Sequence, residues 1–237
     1  SDVYKRQEGE KLGSFWGYTF AGVWQEDDVN APFVDANGQT NGKTNGEVYK
    51  VKPGNSKYVD VNKDGVYNDA DQGIIGCGQP TFNWGWNNTF NYKNFDFSFF
   101  VVGFHGFDIY NATHQMGYNL IKSQQMAGVT PMRELLNRWT PTNTNTDIPG
   151  FVKGGTENKD FFSTRFVENG SFIKMKSITL GYTLPEATCR SLGINNLRVY
   201  ASVQNPFHIT KYSGLDPEAT MGSPLVQGVD WGAYPNS

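Results

Sequence analysis

The residue types best placed to do chemistry lie in the run Asp60-Val61-Asn62-Lys63-Asp64-Gly65-Val66-Tyr67-Asn68-Asp69-Ala70-Asp71. Asp60, Asn62 and Asp64 set side-chain oxygens at alternate positions, Gly65 permits a sharp turn, Val66 offers a carbonyl and Asp71 closes the shell. This is the D-x-N-x-D-G pattern of a calcium loop, in which a hard cation takes about 6–8 oxygens from one short, bent segment. The closing residue is Asp rather than a bidentate Glu, and no flanking helix pair is evident, so the expected affinity is weak. The competing reading is an Asx-rich turn that binds nothing. A structural calcium ion at Asp60, Asn62, Asp64, Val66 and Asp71 is therefore the one cofactor the sequence suggests.

Catalysis has little foothold. His105, His114 and His208 lie in separate segments and form neither an H-x-x-x-H nor an H-E-x-x-H pattern. No G-x-S-x-G elbow, phosphate-cradling glycine loop or Cys/His pair is present. Glu26, Asp27 and Asp28 imitate an acid/base pair, but a solvated loop explains them better. The chain reads as non-enzymatic. Phe15, Trp16, Tyr18, Phe20 and Trp24 could stack on sugar rings, although loop packing or an interfacial aromatic girdle is the favoured alternative.

The elements that position these residues read as strands. From Phe82 the even positions are Phe82, Trp84, Trp86, Asn88, Phe90 and Tyr92, against Asn83, Gly85, Asn87, Thr89 and Asn91, a period of two. After Lys93-Asn94, Phe95, Phe97, Phe99 and Val101 continue the pattern, which predicts a hairpin with a tight turn. A third run over 171–184 groups Phe172, Ile178, Leu180, Tyr182 and Leu184. Lys174 and Lys176 fall on this greasy face, where they are tolerable only near a membrane surface. A fourth run alternates Leu197, Val199, Ala201, Val203, Phe207 and Ile209 with polar residues, and Asn205-Pro206 predicts a bulge.

Each run has about 10 or more residues, close to what crosses a bilayer at a tilt. Short connections alternate with long ones, as in outer-membrane barrels. The long segments, 106–170 and 213–237, would be external together with the calcium-like loop. Within the first of them Thr130-Pro131 predicts a short helix ending before Pro141, while in the periplasmic turn after the third run Pro185 to Leu192 with Gly193 behind it predicts another. Cys77 and Cys189 then sit at opposite ends of a wall about 30 Å thick, too far apart for a disulfide. They are expected to be free thiols.

Composition agrees with an all-β class: aromatics make up 15% and charged residues 18%, with 27 Gly, so rings that favour strands outweigh helix-favouring charge. The net charge of −3 comes without a Lys/Arg run, which argues against a nucleic-acid partner. No apolar run is long enough for a membrane helix, a test that β-barrels escape. Residues 1–7 lack an apolar stretch, fit nothing downstream and read as a non-native assembly scar. The remainder divides into an extracellular loop region over 8–78, with the calcium-like loop at 60–71, and barrel strands with loops over 79–237.

The chain resembles the C-terminal part of SusC-like (RagA-like) TonB-dependent outer-membrane transporters. The likeness runs through Tyr58-Val59-Asp60-Val61-Asn62-Lys63-Asp64-Gly65, Gln79-Pro80-Thr81-Phe82, Trp84-Gly85-Trp86-Asn87, Asn137-Arg138-Trp139-Thr140-Pro141, Glu168-Asn169-Gly170-Ser171-Phe172, Ile178-Thr179-Leu180-Gly181-Tyr182 and Gln204-Asn205-Pro206-Phe207. It continues through Tyr212-Ser213-Gly214-Leu215-Asp216-Pro217-Glu218 and nearly ends on Tyr234-Pro235. The resemblance implies antiparallel strands of a partial transmembrane β-barrel, cut from a barrel of about 22 strands with a plugged lumen. It implies import of glycans or peptides with a SusD-like lipoprotein lid, driven by TonB through an N-terminal part that this sequence lacks. The final closing strand is expected to be missing as well. The alternative is a soluble all-β carbohydrate-binding module with a structural calcium site, whose apolar faces would be hidden in a sandwich core.

Overall fold

The computed structural model describes residues 9–118, 132–150, 161–221 and 227–232. Residues 1–7, expected to be a scar, the Thr130-Pro131 helix start and Tyr234-Pro235 lie outside these.

Short elements come first: β1 (Ser14–Tyr18), β2 (Phe20–Val23), α1 (Glu26–Asn30), β3 (Pro32–Val34), β4 (Thr40–Thr44), α2 (Asn45–Tyr49), β5 (Ser56–Tyr58) and β6 (Gln72–Cys77). They pair antiparallel as β1 with β6, β2 with β5, and β3 with β4. The start of α2 is fixed by a capping box, in which Thr44 accepts from the Glu47 N–H and the Glu47 carboxylate takes the Thr44 N–H. Lys50 ends it in the left-handed conformation at φ 53°. Trp24, Val29 and Val51 bury together against Tyr49 and hold this lobe.

The long strands follow. β7 (Phe82–Tyr92) and β8 (Phe95–His105) form the hairpin, with Lys93 at φ 54° in its turn. Next come β9 (Asp108–Asn111), α3 (Ala112–Tyr118), β10 (Val167–Asn169), β11 (Phe172–Thr183), α4 (Glu186–Ser191), β12 (Arg198–Thr210) and β13 (Val229–Asp230). The strand order β12-β11-β8-β7 makes a 4-stranded antiparallel sheet, while β10, β9 and β13 form a smaller one. The predicted helix after Pro131 is a 3-10 turn over Arg133–Asn137, and the predicted turn helix is α4, followed by Gly193 at φ 72°.

Two short connections meet at one end of the sheet. The Thr183 N–H donates to the Asn94 carbonyl at 2.8 Å, and the Leu184 N–H to the Leu197 carbonyl at 2.9 Å. The long segments leave from the other end. There Phe107, Ile109 and Tyr212 cover Val102 and Phe172 on one sheet face.

Register assigns the two faces. Trp86 pairs with Val101, Phe90 with Phe97, Phe97 with Leu180, and Leu180 with Ala201, so these share one face. The opposite face carries Asn83, Asn87, Thr89, Asp96, Ser98, Thr179 and Ser202. The greasy face is open: Trp86 is 55%, Phe90 53%, Leu180 50% and Ile209 64% exposed. A sandwich would hide that face behind a second sheet, and none covers it among the described residues.

One expectation needs correcting. Lys174 and Lys176 are not on the greasy face, because the register shifts between Met175 and Ser177 on both sides of β11. A bulge inserts one residue and so reverses the parity of everything on one side of it. Lys174 therefore sides with Ser177 and Thr179, and so does Phe172, which the sequence had grouped with Ile178 and Leu180, while Met175 joins Ile178 and Leu180. The predicted bulge in β12 lies at the same level, with Asn205 at φ 47°.

Both cysteines are free, Cys77 beside the Leu12 carbonyl and Cys189 beside that of Leu184.

Candidate functional site: the acidic loop and the buried ion cluster

β5 delivers the chain into the acidic loop, and a 3-10 turn over Asp69–Asp71 carries it out into β6. Gly65 sits at φ 82°, and a Cβ there would stand 2.2 Å from Cγ1 of Val48. Only glycine fits. The Asp60 carboxylate accepts through Oδ2 from the Gly65 N–H at 2.8 Å and from the Tyr49 hydroxyl at 2.9 Å. Asn62 Oδ1 accepts from the Asp64 N–H at 3.1 Å, and Asp64 Oδ1 from the Val66 N–H at 2.8 Å. Asp71, only 3% exposed, accepts from the Val61 and Asn68 N–H groups, each at 2.9 Å. The Val66 carbonyl accepts from Asn68 Nδ2 at 3.2 Å.

These bonds make the loop self-supporting, with one exception. Asp60 Oδ1 is buried and has no hydrogen-bond partner, the kind of group that calls for an ion or water. Only at the first position of the loop is a side-chain oxygen left buried without a partner. The loop offers carboxylate, amide and carbonyl oxygens, but among the described residues no three His, Cys, Asp or Glu side chains are grouped to hold a metal ion. The Val66 N–H, with Asn62 and Asn68 behind it, holds the Asp64 carboxyl below its ordinary value. Burial, reinforced by Asp60, raises the Tyr49 phenol, so it stays protonated as the donor to that carboxylate.

The aromatics of the first lobe are packing residues. Phe15 is 0%, Tyr18 6% and Trp24 4% exposed, and Phe20 lies beneath the Arg165 guanidinium. The acidic triplet leads α1, where Asp28 pairs with Lys57 at 3.1 Å. The histidines remain apart: His105 accepts from Trp84 Nε1 at 3.1 Å, and His114 faces Glu168 at 3.5 Å.

Sequence reasoning missed a second cluster. Lys174, 5% exposed, reaches Asp216 at 2.8 Å and Glu218 at 2.7 Å, and Lys176 binds the other oxygen of Glu218. The segment after β12 is thereby strapped across the polar face of β11. Tyr212 donates to Asp230, and Ser213 binds Glu168, which also takes Asn111 Nδ2 at 2.9 Å. Burial alone would raise the Glu218 carboxyl, but the hydrogen bonds from Lys174 and Lys176 prevail and hold it below its ordinary value. The signal was legible in principle as K-x-K facing D-x-E, but only the bulge brings the two together.

No protein-family model matches the chain. Among curated proteins it is similar to TonB-dependent receptor P3 of Formosa agariphila, 34% identical over 236 residues, which covers 97% of this chain and 21% of that protein. It is also similar to TonB-dependent receptor SusC of Bacteroides thetaiotaomicron, 31% identical over 188 residues, covering 78% of this chain and 17% of that protein. The chain thus spans about a fifth of the length of these relatives. Among solved structures, the RagAB peptide importer in its closed-closed state aligns with TM-score 0.63 at 22% identity, over 94% of this chain and 22% of that one. The open-open state gives 0.64 at 21% identity. An open sheet with one greasy face, the shorter connections at one end and long segments at the other is what a strip of barrel wall must look like. The chain belongs to the SusC-like TonB-dependent receptors, as a segment of their transmembrane β-barrel.

Proposed function

We propose that the full-length receptor carrying this chain imports oligosaccharides or peptides across the outer membrane, together with a SusD-like lipoprotein and with energy from TonB. This chain supplies wall and external lobes and no catalytic centre. The observation that carries the reading is the exposed face of Trp86, Phe90, Leu180 and Ile209, which suits lipid and not water. Cell fractionation tests it: the receptor is expected in the outer-membrane pellet, released only by detergent. Recovery as a soluble monomer would overturn it in favour of a carbohydrate-binding module.

The loop from Asp60 to Asp71 is the receptor's structural calcium site, with Asp60 Oδ1, Asn62, Asp64, the Val66 carbonyl and Asp71 as donors. The orphaned Asp60 oxygen supports this reading. When bound, the ion supplies charge neutralisation and loop order. Calorimetric titration of calcium into the chelator-stripped receptor is expected to give a single-site isotherm that Asp60→Asn abolishes. An isotherm unchanged by that substitution would assign the ion elsewhere.

A further inference from the structure

Lys174 and Asp216 are buried as a pair, each 5% exposed, with Lys174 Nζ 2.8 Å from Asp216 Oδ2. A third group, the Glu218 carboxylate, meets the same nitrogen at 2.7 Å through Oε2, while Lys176 binds its Oε1. The shell beside them is apolar. Val102 is the register partner of Lys174 in β8, and it packs with Phe107, Phe172 and Tyr212. Pro217, fully buried, follows Asp216 directly. We propose that Lys174 and Asp216 condense into an amide between Nζ and Cγ, with Glu218 carrying the proton, so that the segment after β12 is clasped covalently to β11.

The step balances in atoms and charge. The ammonium passes one proton to Asp216 Oδ2, leaving a neutral amine against a neutral carboxyl. Nζ then attacks Cγ, and the carbonyl electron pair moves onto Oδ1. That oxygen already accepts from the Glu218 N–H at 2.9 Å, so a donor stands where negative charge develops. Glu218 Oε2 takes a proton from the attacking nitrogen and delivers it to the Oδ2 hydroxyl. The Cγ–Oδ2 bond breaks, and Oδ2 departs as water. One ammonium and one carboxylate become one amide and one water, nothing is oxidised or reduced, and Glu218 ends as it began.

Bulk water opposes such a condensation because it hydrates the separate ions, and burial removes that advantage. Contact supplies the rest, since well-held intramolecular partners react at effective molarities of about 10⁵–10⁸ M. The second lysine gains a reason as well. When the charges of Lys174 and Asp216 vanish together, Lys176 remains as the counter-ion of Glu218. The Lys57–Asp28 pair, at 3.1 Å with side chains 30% and 42% exposed, is hydrated and stays ionic. The new bond joins residues 42 apart in sequence and so restricts the unfolded chain as a disulfide does, without being reducible.

The test is peptide mass spectrometry on the full-length receptor, purified from outer membranes in detergent and digested with trypsin. A branched peptide joining Lys174 to Asp216 is expected, lighter than its two parts by one water and uncleaved after Lys174. Lys174→Arg is expected to lack it, and Glu218→Gln, which keeps the shape and loses the base, to form it about a hundredfold more slowly. Should either variant fail to fold, the wild-type digest decides alone. Separate peptides for Lys174 and Asp216, with cleavage after Lys174, would overturn the proposal and leave an ordinary ion pair. A branched peptide at Lys57–Asp28 in equal yield would overturn it too, by showing that burial does not select the bond. Equal rates in Glu218→Gln would overturn the role given to Glu218.

Discussion

Lys174→Met is expected to destabilise the receptor by about 3–5 kcal/mol, because it leaves a buried carboxylate without its cation. Asp216 is only 5% exposed and sits 2.8 Å from the ammonium, so water cannot take over. The cost lies in orphaning the partner and not in the net worth of the pair. Lys174→Met combined with Asp216→Leu is therefore expected to recover much of the loss, since a buried ion pair exchanged for apolar residues is often close to neutral. Thermal unfolding of the receptor in detergent, run as a double-mutant cycle, measures both quantities. Additive losses would show that the two residues do not act as a unit. Glu218 adds a pH signature. Its carboxyl is held below its value in the unfolded chain, so its contribution is present above that value and fades as pH falls through the lower, folded one. The Arg198–Asp96 pair has better geometry, with contacts at 3.0 and 2.6 Å, yet lies open to solvent and should matter far less.

The second large effect separates the two faces of the wall. Ile178 pairs with Phe99 and Val203 near the middle of the strands, on the greasy side. Ile178→Arg is expected to cost about 2–4 kcal/mol, the penalty for a guanidinium near the bilayer midplane. Thr179→Arg, one residue along, enters the polar face beside Ser98 and Ser202 and is expected to be tolerated. Folding into lipid vesicles under increasing urea gives the two values. Equal penalties would mean that both faces meet the same surroundings, which a barrel wall does not allow.

The long strands were legible because a period of two persists through β7, β8 and β12 with scarcely a break, and Lys93-Asn94 marks the turn. The bulge in β12 was legible as well, since Asn205-Pro206 cannot continue a ladder. Its counterpart in β11 carries no such flag. Met175-Lys176-Ser177 contains neither Gly nor Pro, so simple alternation put Lys174 on the wrong face. The first lobe escaped for a different reason. β3 and β5 span 3 residues each, shorter than any window in which alternation can be recognised, and their pairing depends on contacts distant in sequence. In the acidic loop, spacing marked the turn and its side-chain-to-backbone hydrogen bonds, because an Asx loop is local chemistry. Nothing local marked Tyr49, whose hydroxyl joins α2 to Asp60 through the fold.

The paired bulges have a geometric consequence for the wall. Between the same two rungs the path is one residue in β8 (Phe100 to Val101), two in β11 (Ser177 to Met175) and three in β12 (Gln204 to Phe207). Surplus backbone thus grows by one residue per strand, about 3.3 Å each across a spacing of about 4.8 Å. A flat ribbon cannot absorb a wedge of that size. The wall must crease along this line, so the half that carries Phe172 and Lys174 leaves the cylinder traced by the half below. The lysines that grip the strap stand at the fold of that crease.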